Sequence, residues 1–218
     1  KGGAAFTSYT SVFLDGELFT NNNTLSAIKP RNARQMPHVQ AWTRPDCVGF
    51  DVTVTRQHSS LAVTQTLYPR SESDYGFIRV VTVLRNLSPV PVQAGMQLMY
   101  DLAIGPSDLV AVTVQNTLVP LETGWQGSSV PSDFFGKGKG SPYRVRGRLQ
   151  HDTLTPPDRF IVGKWSYNGY LGAAQWDYAA ENGRVFWDNA ALLQWDDAPL
   201  APGATRTIIT DYGLAIAP

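Results

Sequence analysis

The sequence predicts an all-β protein: a sandwich of two antiparallel β-sheets, with little or no helix. Apolar and polar residues alternate along most of the chain, which is the pattern of strands with one face toward a core. Aromatic residues and proline are abundant, with six Trp, nine Tyr, nine Phe and fifteen Pro. Only four Glu and five Lys occur among 218 residues, and exposed helices favour both residue types.

The first predicted element is a β-hairpin in residues 11–20, "SVFLDGELFT". Its Asp15-Gly16 pair supplies the two positive φ angles of a tight two-residue turn. A second hairpin is predicted in residues 48–69, where apolar and polar residues alternate on both sides of the polar "QHSS". Both hairpins therefore direct one face toward a core.

Two long strands follow, in residues 76–88 and 90–104, and are joined by a proline-containing turn that bars regular ladder pairing. Further strands are predicted in residues 109–119, 143–149, 159–167, 184–196 and 205–216. No segment shows an apolar stripe of helical period with capping residues. About ten or eleven strands without helices indicate two sheets packed face to face.

The domain organisation predicted from this pattern is one β-sandwich domain over residues 1–218. Two stretches lack clear periodicity and are predicted to be irregular, residues 21–47 and residues 119–142. The second is rich in Gly, Ser and Pro but also carries Trp125. Loops of this length are often functional or disordered, and the aromatic residues indicate partial order, with the stretch either packed back on the sandwich or docked on a partner.

The charge balance limits the classes of partner. Eighteen basic residues balance eighteen acidic ones, whereas a groove for a phosphate backbone needs a basic excess. Nucleic acid is therefore not an expected partner. No apolar run approaches the roughly 20 residues that cross a bilayer, so no membrane span is expected. The single cysteine, Cys47, has no partner for an internal disulfide.

Three segments carry a resemblance to known proteins: residues 80–108, 155–165 and 187–214. They contain an "N-x-S" turn after a long strand, a "D-x-x-x-G-x-x-D" turn, a "P-P-D" before a strand and a closing "W…L-x-P-G…Y-G". They resemble secreted bacterial and archaeal surface domains, which are themselves similar to the galactose-mutarotase-like supersandwich. The resemblance implies the sandwich fold and an extracellular or cell-surface location.

Asp101 and Asp108 are the first candidates for chemistry, since they flank a Gly-Pro-Ser turn in "YDLAIGPSDL". A carboxylate pair can bind a hard cation such as Ca²⁺ or share acid–base work. Asp also bonds backbone amides in turns, and this structural role is the favoured interpretation. No cofactor is expected, with Ca²⁺ at this pair as the alternative.

Mutarotase-like enzymes, as the resemblance implies, use histidines with an acidic partner on the concave face of a sheet. His38 lies in the irregular stretch 21–47, His58 in the "QHSS" turn and His151 after a predicted strand. No glutamate is evident as a base deep in a sheet groove. The sequence therefore indicates no catalytic residues.

Aromatic and arginine side chains are candidates for carbohydrate binding. Trp125 in the Gly/Ser-rich stretch, and Trp176 with Tyr178 in "QWDY", are predicted to be the better candidates for stacking on sugar rings, although core packing is the common role of such residues. In "YRVRGRL", alternate positions place three arginines on one face of a predicted strand: Arg144, Arg146 and Arg148. This row could bind an acidic polysaccharide. The favoured interpretation is that it pairs with acidic residues on a neighbouring strand.

These observations predict a non-catalytic structural domain at a cell surface. Its expected partner is itself, as a homo-oligomer or polymer, or a cell-surface glycan. The alternating segment "AAFTSYTSVFL", residues 4–14, is a candidate donor strand that would complete the sheet of a neighbouring subunit. The alternatives are a carbohydrate-binding module and a mutarotase-like sugar isomerase or lyase.

Overall fold

The computed structural model describes residues 8–20, 33–35, 38–43, 52–57, 60–72, 75–104, 109–165, 176–180 and 188–215. These residues form β-strands joined by turns and one short 3₁₀ turn, Gly127–Ser129. No helix in them is long and apolar enough to cross a membrane. The strands form two sheets, which confirms the predicted all-β sandwich.

Sixteen strands occur in the described part of the chain. In chain order they are β1 (Tyr9–Leu14), β2 (Glu17–Thr20), β3 (Ala33–Gln35), β4 (His38–Thr43), β5 (Val52–Gln57), β6 (Leu61–Glu72), β7 (Tyr75–Asn86), β8 (Val92–Asp101), β9 (Val110–Val114), β10 (Thr117–Leu118), β11 (Thr123–Gln126), β12 (Asp133–Gly138), β13 (Arg144–Arg148), β14 (Arg159–Lys164), β15 (Asn189–Leu200) and β16 (Thr205–Ala215).

The strands form two sheets. Sheet A has the order β11-β14-β15-β8-β1-β2-β3, and sheet B has the order β10-β9-β12-β13-β16-β7-β6-β5-β4. The β2–β3 pair is parallel, and the other described pairs are antiparallel. The first hairpin forms as predicted, because Asp15 and Gly16 adopt φ angles of 48° and 90°.

The two stretches predicted to be irregular contain strands. Residues 119–142 hold β11, the 3₁₀ turn and β12, so the expected long loop is replaced by one strand in each sheet. In residues 21–47, β3 joins sheet A and β4 joins sheet B, so the chain crosses between the sheets there. That the whole chain forms one domain stays a prediction.

The main core lies between the two sheets. Phe134 of sheet B stacks on Phe160 of sheet A with ring centroids 5.1 Å apart. Tyr100 of sheet A stacks in the same way on Tyr212 of sheet B, at 4.5 Å. Burial raises the pKa of the Tyr100 phenol well above its usual range, so this hydroxyl stays protonated between the sheets.

A buried polar bridge also joins the sheets. The Gln65 amide of sheet B donates to Thr10 Oγ1 of sheet A at 3.0 Å and to Thr82 Oγ1 at 3.1 Å. Because a buried polar group without a partner is costly, this bridge favours one alignment of the two sheets.

Gly147 is required by the packing of Phe134. A Cβ atom at Gly147 would lie 2.5 Å from Phe134 Cζ, closer than real contacts allow. We expect Gly147→Ala to lower the free energy of unfolding by about 1–3 kcal/mol, measured by urea denaturation. Gly76→Ala is the matched control, since a Cβ there meets no atom within 4 Å. Equal stabilities for the two variants would contradict this account of the core.

Candidate functional site

Sheet A carries an apolar cluster on each of its two faces. Alternate residues of β8 and β15, such as Leu98 and Leu193, face the main core. Their neighbours Met99 and Leu192 pack with Ile161 of β14 in a second apolar cluster on the outer face. Because such a face is unfavourable in water, it needs a cover. Residues 176–180 supply part of it.

Trp176 anchors one end of this covering segment. Its indole stacks on Phe13 of β1, with ring centroids 4.8 Å apart and an interplanar angle of 22°. Gly95 of β8 leaves room for it, since a Cβ atom there would lie 2.7 Å from Trp176 Cη2. The anchor therefore depends on the absence of a side chain in the middle of β8.

Tyr178 anchors the other end. Its ring is buried in the second apolar cluster, and its hydroxyl donates to the Glu122 carboxylate, with both oxygens at 3.0 Å. Glu122 is itself only 2% exposed and directly precedes β11. A buried carboxylate is costly without hydrogen bonds, so the phenol and the carboxylate stabilise one another.

Asp177 lies between the two anchors. It adopts a left-handed φ of 56°, a conformation that Asp tolerates better than most residues. Its carboxylate lies 3.2 Å from Arg159 Nη2 and accepts from Gln194 Nε2 at 3.2 Å. The carboxylate is 57% exposed, so it remains open to solvent and to ligands.

Asp196 completes a polar network at the same place. It lies at the bulge in β15, where the register with β8 shifts. Its carboxylate accepts from Gln194 Nε2 at 2.7 Å and lies 3.4 Å from Arg159 Nε. Two carboxylates thus share one guanidinium, and the surplus charge of this network is negative.

A pocket of about 490 Å³ opens between this network and the edge strand β11. Its wall combines an indole, a guanidinium, a carboxylate, a hydroxyl and an amide. The lining residues are Gly124, Trp125, Gln126, Ser129, Arg159, Ile161, Asp177, Tyr178, Ala179 and Ala180. A half-buried aromatic wall beside a few polar groups is typical of sites for small molecules.

The structure brings two of the aromatic residues predicted for carbohydrate binding to one pocket. Trp125 and Tyr178 line it, whereas Trp176 packs against the second apolar cluster and is not among the lining residues. Trp125 also packs against the main core, with its ring 5.3 Å from that of Phe160. These rings therefore have packing roles as well as a position at the pocket.

The predicted arginine row lies on sheet B and not at this pocket. Arg146 pairs with Asp133 of β12 at 2.8 Å. Arg148 is buried and pairs with Asp211 of β16 at 2.5 Å and with Glu72 at 3.0 Å. Arg144 lies over the Phe135 ring, 4.7 Å from its centroid. Two members of the row are thus bound to acids, mainly on neighbouring strands.

The predicted cation pair is described only in part. Asp101 ends β8 and is half-buried, and its backbone N–H donates to Ser8 Oγ at 3.0 Å. Asp108 lies outside the described residues. Within the described ranges, no group of three or more His, Cys, Asp or Glu residues is arranged to hold a metal ion. Calcium binding at Asp101 and Asp108 stays a prediction.

The histidines do not contribute to the pocket lining that the structure describes. His151 is exposed in the turn after β13, where its Nδ1 lies 3.0 Å from Thr153 Oγ1. His38 lies in β4 of sheet B, and His58 falls outside the described residues.

Sequence reasoning missed Arg159, Asp177 and Glu122. Glu122 is the buried glutamate beside a sheet that the sequence did not indicate. The useful signals were local: "PPDRF" places an arginine at a strand start, and "QWDY" sets an aspartate between two anchoring rings. The ion pair between Arg159 and Asp177 joins two separate segments of the sequence, so no single motif could have predicted it.

The sequence matches no protein-family model and no curated protein. The fold does resemble solved structures. A crystal structure from Escherichia coli, named a putative aldose 1-epimerase, superposes with a TM-score of 0.52 at 12% identity, over 82% of this chain and 69% of that one. This likeness shows that the chain shares the two-sheet sandwich fold of that structure.

Two other structures are more distant. A galactose mutarotase related enzyme from Lactobacillus acidophilus gives a TM-score of 0.45 at 4% identity, over 81% of this chain and 71% of that one. A protein from Synechocystis gives 0.47 at 7% identity, over 84% and 66%.

The comparison corrects the expected function. The sequence predicted a non-catalytic structural subunit, but the fold is that of a protein named for sugar chemistry, so that prediction is wrong. The donor-strand hypothesis fails on the structure itself. β1, which covers most of the proposed donor, is paired on both sides within its own sheet, with β2 and with β8. A strand held in this way is not available to a neighbouring subunit.

The Tyr178–Glu122 contact predicts a measurable contribution to stability. Tyr178→Phe removes the hydroxyl that donates to a buried carboxylate, so we expect the free energy of unfolding to fall by about 1–3 kcal/mol. Chemical denaturation followed by tryptophan fluorescence measures the change. Tyr143→Phe is the control, because Tyr143 is 60% exposed and should change stability little. An unchanged stability for Tyr178→Phe would contradict the anchoring role.

Proposed function

We propose that the protein is a sugar-processing enzyme that binds an aldose in the pocket between Trp125 and Asp177. The observation that carries the proposal is the set of groups around one cavity: the Trp125 ring, the Arg159 guanidinium and the exposed Asp177 carboxylate. Sugars present apolar ring faces and hydroxyls, which suit an aromatic wall and charged hydrogen-bonding partners. The Escherichia coli neighbour, named for aldose 1-epimerase activity, supports the same class of substrate.

The chemistry follows from the proton transfers that such a reaction requires. Opening an aldose ring needs a base that accepts the proton of the anomeric hydroxyl and a proton donor to the ring oxygen. The C1–O5 bond then breaks, and the ring closes again on either face of the aldehyde. We assign the role of base to Asp177, because its side chain is the carboxylate among the described residues that line the pocket. The ring oxygen takes its proton from solvent at the open rim.

Arg159 and Gln194 position this base. Arg159 lies 3.2 Å from Asp177 Oδ1, and Gln194 donates to the same oxygen. Gln194 is held in turn by Gln97, whose Nε2 donates to Gln194 Oε1 at 2.7 Å. A base fixed by a guanidinium and by a chain of two amides loses little entropy when the substrate binds.

Anomer interconversion of D-galactose and D-glucose, followed by NMR exchange or polarimetry, tests the proposal. We expect Asp177→Asn to slow interconversion at least about 100-fold, because a positioned base contributes 10²–10⁴ in rate. Asn tolerates the left-handed backbone at this position, so the loop should keep its path. Arg159→Gln should weaken sugar binding about tenfold, measured by calorimetry.

Asp152→Asn is the matched control, since Asp152 is exposed in the turn after β13 and does not line the pocket. It should bind and convert sugars like the wild type. If no aldose binds or is converted by the wild type, or if Asp177→Asn is as active as the wild type, the proposal is wrong.

A further inference from the structure

Where β12, β13, β16 and β7 lie side by side, the outer face of sheet B contains three lateral rows, defined by strand register. The first row, read across β12, β13, β16 and β7, is Asp133–Arg148–Asp211–Arg79. Acid and base alternate along it, and Arg79 Nε lies 2.8 Å from Asp211 Oδ1. This row neutralises its own charge.

The second row combines aromatic rings with one arginine. In the same direction it is Phe135–Arg146–Gly213–Phe77. The Arg146 guanidinium lies 5.5 Å from the Phe135 ring centroid and pairs with Asp133 in the first row. Glu72 of β6 pairs with Arg148, so the three arginines of the first two rows are balanced by three acids.

The third row, which we call the basic row, is different. Across β9, β12, β13, β16 and β7 it is Ala111–Lys137–Arg144–Ala215–Tyr75. Lys137 and Arg144 are directly opposite one another, and no acid of the described residues forms an ion pair with either. Like charges in such a cross-strand pair are destabilising. A bound anion would remove that repulsion.

The surroundings of the pair suit a ligand. Arg144 is stacked on Phe135 at 4.7 Å, which restrains the guanidinium plane before any ligand binds. Ala111 and Ala215 flank the pair on both sides, and their side chains are too short to cover it. Lys137 is exposed and Arg144 is half-buried, so their donors can reach solvent.

We propose that the basic row binds the carboxylate groups of an acidic polysaccharide. A guanidinium fork and an ammonium complement carboxylates, and an open strip across neighbouring strands accommodates an extended chain. A folded protein partner would need apolar anchors at the centre of its interface, which the row does not offer in the described residues. The net charge of zero does not favour a polynucleotide. This surface is on sheet B and is independent of the sugar pocket of sheet A.

Binding of polygalacturonate by the whole chain, measured by calorimetry at low and high salt, tests the proposal. The Lys137→Gln/Arg144→Gln double variant should bind at least about tenfold more weakly than the wild type. Arg85→Gln is the matched control: Arg85 is exposed on the same face of β7, far along the strand from Tyr75, and should bind like the wild type. Wild-type binding should weaken with added salt.

Three results would overturn the proposal: no wild-type binding of polygalacturonate, equal binding by the double variant, or single-stranded DNA of the same charge binding as tightly. Neutral dextran should not compete. Removing like charges should leave the melting temperature unchanged or raise it. If the double variant melts early, the single Lys137→Gln variant, changed at an exposed site, gives the deciding affinity. Asp177→Asn should bind polygalacturonate normally, which separates this proposal from the function of the pocket.

Discussion

Burial of both faces of sheet A is the constraint on which the rest of the structure depends. One face packs on sheet B through residues such as Leu98, and the other carries the second apolar cluster around Met99. Residues 176–180 cover part of that outer face, held by the Trp176–Phe13 stack and the Tyr178–Glu122 hydrogen bond. Covering an apolar face thus brings Asp177 to Arg159, and packing creates the pocket.

Sheet B stabilises its outer face differently. Its charged row centres on Asp211, which is 1% exposed and bound by Arg79 and Arg148. Removing one partner of such a buried pair leaves an uncompensated charge, so these residues are held together as a unit. The two outer faces therefore differ in kind: sheet A offers a covered cavity, and sheet B offers an open strip of charge.

The sequence predicted local structure well, but it predicted contacts between residues distant in sequence poorly. Asp15-Gly16 identified the first hairpin because two positive φ angles need those residues. β11 and β12 were missed because "TGWQ" and "DFFGKG" carry glycines that are typical of loops, although close packing explains Gly136. The sequence identified Trp125 and Tyr178, which line the pocket, because aromatic residues next to Gly, Ser or Asp are candidates for sugar binding. It did not identify Glu122 or Arg159, since the contact of Glu122 with Tyr178 spans 56 residues and Arg159 contacts Asp177 only through the fold.

Sugar binding in the cavity lined by residues 177–180 and β11 is tested most directly by hydrogen–deuterium exchange with and without D-galactose. We expect slower exchange in β11, at the start of β14 and in residues 177–180 when the sugar is present, with sheet B unchanged. Protection confined to other strands, or no protection at saturating sugar, would contradict it.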